Sequence, residues 1–154
     1  MAQIATSSSS PSTSYAHYDV FINHRGPDVK NTFASHLYQR LTFIGLRVFL
    51  DKPELVEGHT FPSQIEAAIQ RADIHIAIFS PTYGESKWCL DELIDMIKSG
   101  ALRWTGRDGR GEYAKALRKH EEEERYNSQT IQKWREALST AADLSGFELQ
   151  AFNG

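Results

Sequence analysis

Ile74-His75-Ile76-Ala77-Ile78-Phe79 is a nearly unbroken apolar run, rich in isoleucine. A strand written this way has both faces covered, which is the condition of a parallel sheet in an α/β protein. The segments on either side repeat one theme. Upstream, Ile65, Ala68 and Ile69 recur at helical spacing, with Pro62 suited to the first turn. Before them comes a polar stretch, Asp51 to Thr60, carrying Pro53 and Gly58, and then a second short strand, Leu46-Arg47-Val48-Phe49-Leu50. Gly45 stands where a helix C-terminal glycine belongs. Phe33, Leu37, Leu41 and Ile44 form a helical stripe ahead of it, widened by Ala34 and Tyr38. The first strand is Tyr18-Asp19-Val20-Phe21-Ile22, followed by the turn-prone Arg25-Gly26-Pro27-Asp28. Downstream, a helix starting near Ser86 carries Cys89, Leu93, Met96 and Ile97 on one side. Strand–helix units of about thirty residues, repeated in this way, predict an α/β fold. The expected architecture is a flavodoxin-like parallel sheet with helices on both faces.

The flanks read differently. Residues 1–16 include Ser7-Ser8-Ser9-Ser10-Pro11-Ser12-Thr13-Ser14, which cannot bury enough apolar surface to offset its ordering entropy and is expected to be a disordered leader. Leu102 to Gly111 reads as a basic, glycine-rich loop with Arg103, Arg107 and Arg110. Residues 112–126 suit a charged helix with Glu121 to Glu124 on its solvated face. Ile131, Trp134, Leu138 and Ala142 then mark an amphipathic helix over 129–144. Gly146 ends it, and residues 147–154 read as the start of a linker.

Composition narrows the function classes. The chain has 154 residues, enough for one domain, and a formal net charge of −3, which lacks the electrostatic footprint of a nucleic-acid binder. Cys89 is the sole cysteine, so no internal disulfide forms and a reducing, cytoplasmic compartment is expected. No apolar run approaches the ~20 residues that span a bilayer, and no secretory signal pattern opens the chain. Neither a zinc-hydrolase spacing around His120-Glu121, nor a dinucleotide fingerprint among Gly106, Gly109 and Gly111, nor an NTPase phosphate loop is present. Cys89 reads as a small core residue.

Taken in order, several segments resemble the plant TIR (Toll/interleukin-1 receptor) family. YDVFINHRGPD (18–28) is similar to its first strand and loop, and TFASHLYQRL (32–41) to its first helix. FLDKPELVEGHTFPSQIEAAI (49–69) resembles the second strand, the so-called BB loop and the next helix. IAIFSPTYGESKWCLDELIDMI (76–97) resembles the third strand and the W-C-L-x-E-L helix, and WREALSTAADLSG (134–146) the last helix and exit. The resemblance defines a TIR domain over 17–146, with one departure. The family follows W-C-L-x-E-L with an apolar fourth strand and a proline-serine turn. Here Lys98-Ser99-Gly100-Ala101 runs directly into Leu102-Arg103-Trp104-Thr105. The sequence therefore predicts an internal deletion near 101–102, of about 15–20 residues. The expected sheet is incomplete after residue 98, with the third strand unpaired on one edge.

On the residues alone, Glu92 reads as a solvated helix carboxylate and Trp88 as core. Their spacing places indole and carboxylate on one helix face. The resemblance implies more: many plant TIR domains cleave the nicotinamide–ribose bond of NAD, and the glutamate of W-C-L-x-E-L is their catalytic residue. Glu92 would stabilise an oxocarbenium-like transition state, with Trp88 flanking the nicotinamide. Ligands of open parallel sheets bind outside the carboxyl ends of the strands. Arg25 is thus expected to hold phosphate or ribose, and Gly26 to let the backbone approach, or else Arg25 is a turn residue in water. The family often has an aromatic residue where His24 stands. The 51–60 loop would close over substrate or contact a neighbouring protomer. Ser35 and His36 match the pair through which family members pack first helix to first helix. The expected activity is NAD glycohydrolysis in plant immune signalling upon self-association, with NAD as substrate and other TIR proteins as partners. The alternative is a non-catalytic TIR adaptor or decoy that acts by TIR–TIR binding.

Overall fold

The computed structural model describes residues 17–25, 33–50, 62–106, 110–144 and 146–148. The first half of the chain runs through β1 (Tyr18–His24), α1 (Phe33–Phe43), β2 (Val48–Leu50), α2 (Pro62–Gln70) and β3 (Ala72–Phe79). A 3₁₀ turn (Tyr83–Glu85) then leads into α3 (Lys87–Ser99) and β4 (Leu102–Gly106). Two consecutive helices, α4 (Arg110–Glu123) and α5 (Ser128–Ala142), precede β5 (Gly146–Glu148). All pairings are parallel, and the sheet has five strands in the order β2-β1-β3-β4-β5. The expected flavodoxin-like α/β class is the one observed.

The chain moves outward from β1 to β2, crosses back to β3, and continues in the same direction to β4 and β5. With right-handed crossovers, the change of direction puts α1 on one face and the later helices on the other. The side chains follow. Val20, Ile22 and Ile78 pack under α1 with Ala34, Leu37 and Leu41. Phe21, Ala77 and Phe79 point the opposite way, into the larger core with Ile65 of α2, Leu93 and Met96 of α3, and Trp134 of α5. Cys89 is fully buried in that core, as its reading as a small core residue requires.

The predicted gap in the sheet does not occur. Leu102–Gly106 forms β4 and pairs residue by residue with β3, from His75↔Leu102 to Phe79↔Gly106. The edge expected to lie open is therefore closed. Leu102-Arg103-Trp104-Thr105 alternates apolar and polar residues, which is a strand signal as much as a basic loop. Leu102 enters the core, Arg103 is exposed, and Trp104 stacks on Phe79 with ring centroids 5.8 Å apart. The Trp104 Nε1–H donates to the Leu144 carbonyl at 3.0 Å. Gly106 is required where β4 ends. Its φ is +107°, and a Cβ there would lie 2.0 Å from the Phe79 carbonyl oxygen. Phe147 and Glu148, assigned to the linker by the sequence reading, belong to β5 and pair with Thr105 and Gly106. Ile44 does not extend the α1 stripe either. The helix stops at Phe43, Gly45 turns the chain at φ 99°, and Ile44 is left 60% exposed. Residues 1–16 and 149–154 lie outside the described residues. Among the described residues no helix is long and apolar enough to cross a membrane.

Local chemistry fixes the helix ends. Ser86 caps α3, its Oγ accepting from the Cys89 N–H at 3.2 Å, and Asn127 caps α5 by accepting from the Thr130 N–H at 2.7 Å. At the N-terminal half of β3, buried His75 lies 2.6 Å from the Ile69 carbonyl through Nε2 and 2.9 Å from Ser99 Oγ through Nδ1. Burial lowers the pKa of His75, against a smaller upward pull from the Ile69 carbonyl.

Two outcomes follow from this packing. Gly106→Ala should lower unfolding stability by at least about 2 kcal/mol in a denaturant titration, because backbone strain and a main-chain clash coincide. For His75, a folded pKa below the unfolded value means the unfolded chain binds the extra proton. Stability is therefore full above the unfolded pKa of about 6.5 and declines as pH falls through and below it. Thermal midpoints from pH 7.5 to 5 should drop, and the drop should be shallower in His75→Gln.

Candidate active site

The strand order reverses between β1 and β3, and the crevice outside their carboxyl ends is the place where such sheets bind ligands. α3 begins there. Its capped first turns pack on the end of β1, where the Cys89 Sγ lies 3.5 Å from the His24 carbonyl oxygen. One turn further, Glu92 points back at β1. Its Oε1 accepts a hydrogen bond from the Nδ2 of Asn23 at 2.9 Å. Asn23 in turn accepts through Oδ1 from the hydroxyl of Tyr83, a short contact, and the same hydroxyl lies 3.3 Å from the Cys89 carbonyl. Glu92 is 5% exposed, which departs from the solvated helix residue that periodicity alone suggests.

Glu92 lines a cleft, although its second carboxylate oxygen, Oε2, is buried from solvent. This cleft, of about 250 Å³, opens between α2 and α3, lined by Ile65 and Glu66 of α2 and by Lys87, Trp88, Asp91, Glu92 and Asp95 of α3. Trp88 is half-buried and shares this cleft with Glu92, as their helical spacing predicts. Charge in the cleft is predominantly negative. Lys87 pairs with Asp91 at 2.5 Å, and Asp91 also accepts from the indole of Trp134 at 2.9 Å. The carboxyl of Asp95 is pushed above its ordinary range, first by burial and further by Glu66 and Asp91, with Lys98 opposing. A recess with these walls favours a ligand with a flat, positively charged end. Its volume is below the ~300–1,000 Å³ that holds drug-sized ligands.

The other expected residues are placed less uniformly. Arg25 is half-buried directly after His24 and is not among the residues lining the cleft. Gly26 and the 51–60 loop lie outside the described residues. Ser35 and His36 are on α1, half-buried and exposed respectively, on the opposite face of the sheet from α3. Asn23 and Tyr83 were not singled out by the sequence reading. The available signal was a polar amide directly after the apolar run Val20-Phe21-Ile22, which when buried must find a partner. His17, Asp19 and Asp73 have metal-ligand spacing but sit at the opposite, N-terminal ends of β1 and β3, where His17 meets Asp73 at 3.0 Å and Asp19 accepts from the Arg47 N–H at 2.7 Å.

The sequence profile of the TIR domain matches residues 17–104. This chain belongs to the TIR domain family. TMV resistance protein N of Nicotiana glutinosa is 36% identical over 151 residues, which cover 90% of this chain and 13% of that protein. A probable 2′ cyclic ADP-D-ribose synthase of Brachypodium distachyon, BdTIR, is 45% identical over 84 residues, covering 54% of this chain and 38% of that protein. The chain thus spans only a minor part of the length of these relatives. Among solved structures, the TIR domains of the activated Roq1 resistosome, which directly recognises the pathogen effector XopQ, superpose with a TM-score of 0.76 at 30% identity. That match covers 88% of this chain and 90% of the other. The TIR domain found here is therefore of the kind carried by plant disease-resistance proteins.

Proposed function

We propose that this TIR domain cleaves the nicotinamide–ribose bond of NAD when self-associated, in cytoplasmic plant immune signalling. The observation that supports this reading best is the shared cleft of Glu92 and Trp88, walled by carboxylates at the carboxyl end of β1. The nicotinamide of NAD is a flat cation and fits that recess. Trp88 flanks the ring, and Glu92 faces the ribose. The C1′–N bond breaks with its electron pair leaving on the nicotinamide nitrogen, which becomes neutral. Positive charge develops on the ribose, and the Glu92 carboxylate stabilises it. Water adds at C1′ and releases a proton. Arg25 holds the phosphate or ribose beyond the cleft, where a guanidinium suits the charge, and a glycine at position 26 lets the backbone approach. NAD is the substrate, and no dissociable cofactor takes part.

Self-association runs through Ser35 and His36 on α1, a surface on the far side of the sheet from the cleft. The relatives support both halves of the proposal: one is named for a cyclic ADP-ribose synthase activity, another was solved within an assembled resistosome.

Purified protein incubated with NAD should release nicotinamide, and Glu92→Ala should lower the rate at least about 100-fold, the scale of removing a transition-state charge partner. Equal turnover in parent and variant would remove Glu92 from the reaction. A folded, associating chain that releases none would be the non-catalytic adaptor. Separately, turnover per protomer should rise with protein concentration. The double change Ser35→Ala, His36→Ala should shift sedimentation toward monomer and flatten that rise, and a parent rate independent of concentration would exclude the requirement for assembly.

A further inference from the structure

We infer that Asn23, its amide oriented by Tyr83, is a positioning residue for Glu92. This rests on Glu92 being the carboxylate that meets the substrate. Asn23 directly follows the apolar β1 run Val20-Phe21-Ile22 and is fully buried. Its strand partner is Ala77, which offers no side-chain hydrogen bond. A buried amide is costly unless its polar atoms are paired, and here both recorded side-chain bonds belong to one chain of groups that ends on Glu92.

The orientation of that chain is determined by its two ends. An ionised carboxylate only accepts, so the amide must turn its N–H₂ toward Glu92. A phenol can donate, so Tyr83 meets the amide oxygen. The Tyr83 hydroxyl has a single proton, and its contact with Asn23 Oδ1 is shorter than the 3.3 Å to the Cys89 carbonyl. Reversing the amide would set oxygen against carboxylate and N–H against a donor. Tyr83 is itself fixed. It is fully buried, edge-on to Phe79 at 5.0 Å and tilted against Tyr113 at 6.0 Å between ring centroids. A rigid aromatic ring therefore holds an amide, and the amide holds one oxygen of a side chain that otherwise samples many rotamers.

The consequence for the reaction is specific. A carboxylate that stabilises a transient cation acts best when already in place, since reorientation during the step would consume the stabilisation. This preorganisation bears on the chemical step and not on capture of NAD, because neither Asn23 nor Tyr83 lines the cleft.

The test compares parent, Glu92→Ala, Asn23→Asp and Tyr83→Phe, each after a cooperative thermal melt, by steady-state nicotinamide release. Asn23→Asp keeps size and shape but replaces the donor with a second acceptor. Its kcat should fall roughly 10- to 100-fold, the worth of a hydrogen bond to a charged group, with KM changed less than about twofold. Tyr83→Phe, which keeps the ring, should lower kcat less and also spare KM. A structural role alone would reduce the folded fraction and leave KM and kcat of the folded enzyme untouched. Parental kcat in both variants, beside an inactive Glu92→Ala, would overturn the positioning role while leaving Glu92 in its place. A second readout is independent of turnover. The Asn23 side-chain amide resonance in a ¹⁵N-labelled sample should move in both Glu92→Gln and Tyr83→Phe, and an unmoved resonance would overturn the inference even if the chain never cleaved NAD.

Discussion

The structure depends on β3 being hydrogen-bonded along both edges. A central strand of a parallel sheet is covered above and below, so water cannot reach main-chain groups left without a partner. β1 supplies one edge over Tyr18–His24, and β4 supplies the other through Leu102–Gly106. Because β4 follows α3 after a short turn at Gly100 and Ala101, a brief segment suffices to close the sheet. It needs few residues because each does something different. Leu102 fills core, Trp104 covers Phe79 and reaches the Leu144 carbonyl, and Gly106 lets the backbone cross the end of β3. Once β3 is paired, β5 can add beyond β4, and α5 has a sheet to lie on.

The position of the cleft follows from the same arrangement. α2 and α3 lie on the face opposite α1, so the carboxyl end of β1 is approached by the first turns of α3 and by one side of α2. The chain carries only a small net negative charge, but Glu66, Asp91, Glu92 and Asp95 concentrate theirs around one opening. The raised pKa of Asp95 comes first from burial, with Lys98 opposing and Glu66 and Asp91 adding smaller upward contributions. Glu92 is held differently, through Asn23 to a buried tyrosine. Neighbouring carboxylates on one helix thus meet distinct surroundings: Asp91 is tied to Lys87 and Trp134, Glu92 to the end of β1.

The sheet separates the two proposed roles in space. The cleft is on the α2–α3 side, and the Ser35–His36 surface is on α1 behind it. Contacts between protomers at α1 can therefore form without occupying the recess.

Periodicity and turn chemistry were enough to locate most elements. The apolar run of β3, the stripe of α5, the Ser86 start of α3 and the alternation of strand with helix are local properties, carried by residues a few positions apart. The pairing of Trp88 with Glu92 on one face was legible for the same reason, because helical spacing is local geometry. What the sequence could not decide was set by partners distant along the chain. Leu102–Gly106 carries an apolar–polar alternation that its glycine- and arginine-rich continuation obscures; it becomes a strand because His75–Phe79 offers backbone to pair with. Phe147 and Glu148 are drawn into the sheet only once β4 exists. Glu92 reads as solvated until β1 brings Asn23 to it from 69 residues away, and Tyr83 matters only because it reaches that same amide from 60 residues away. Local sequence settles where the chain can be helical or extended; burial, pairing and the environment of a carboxylate depend on which segments meet, and only the folded chain determines that.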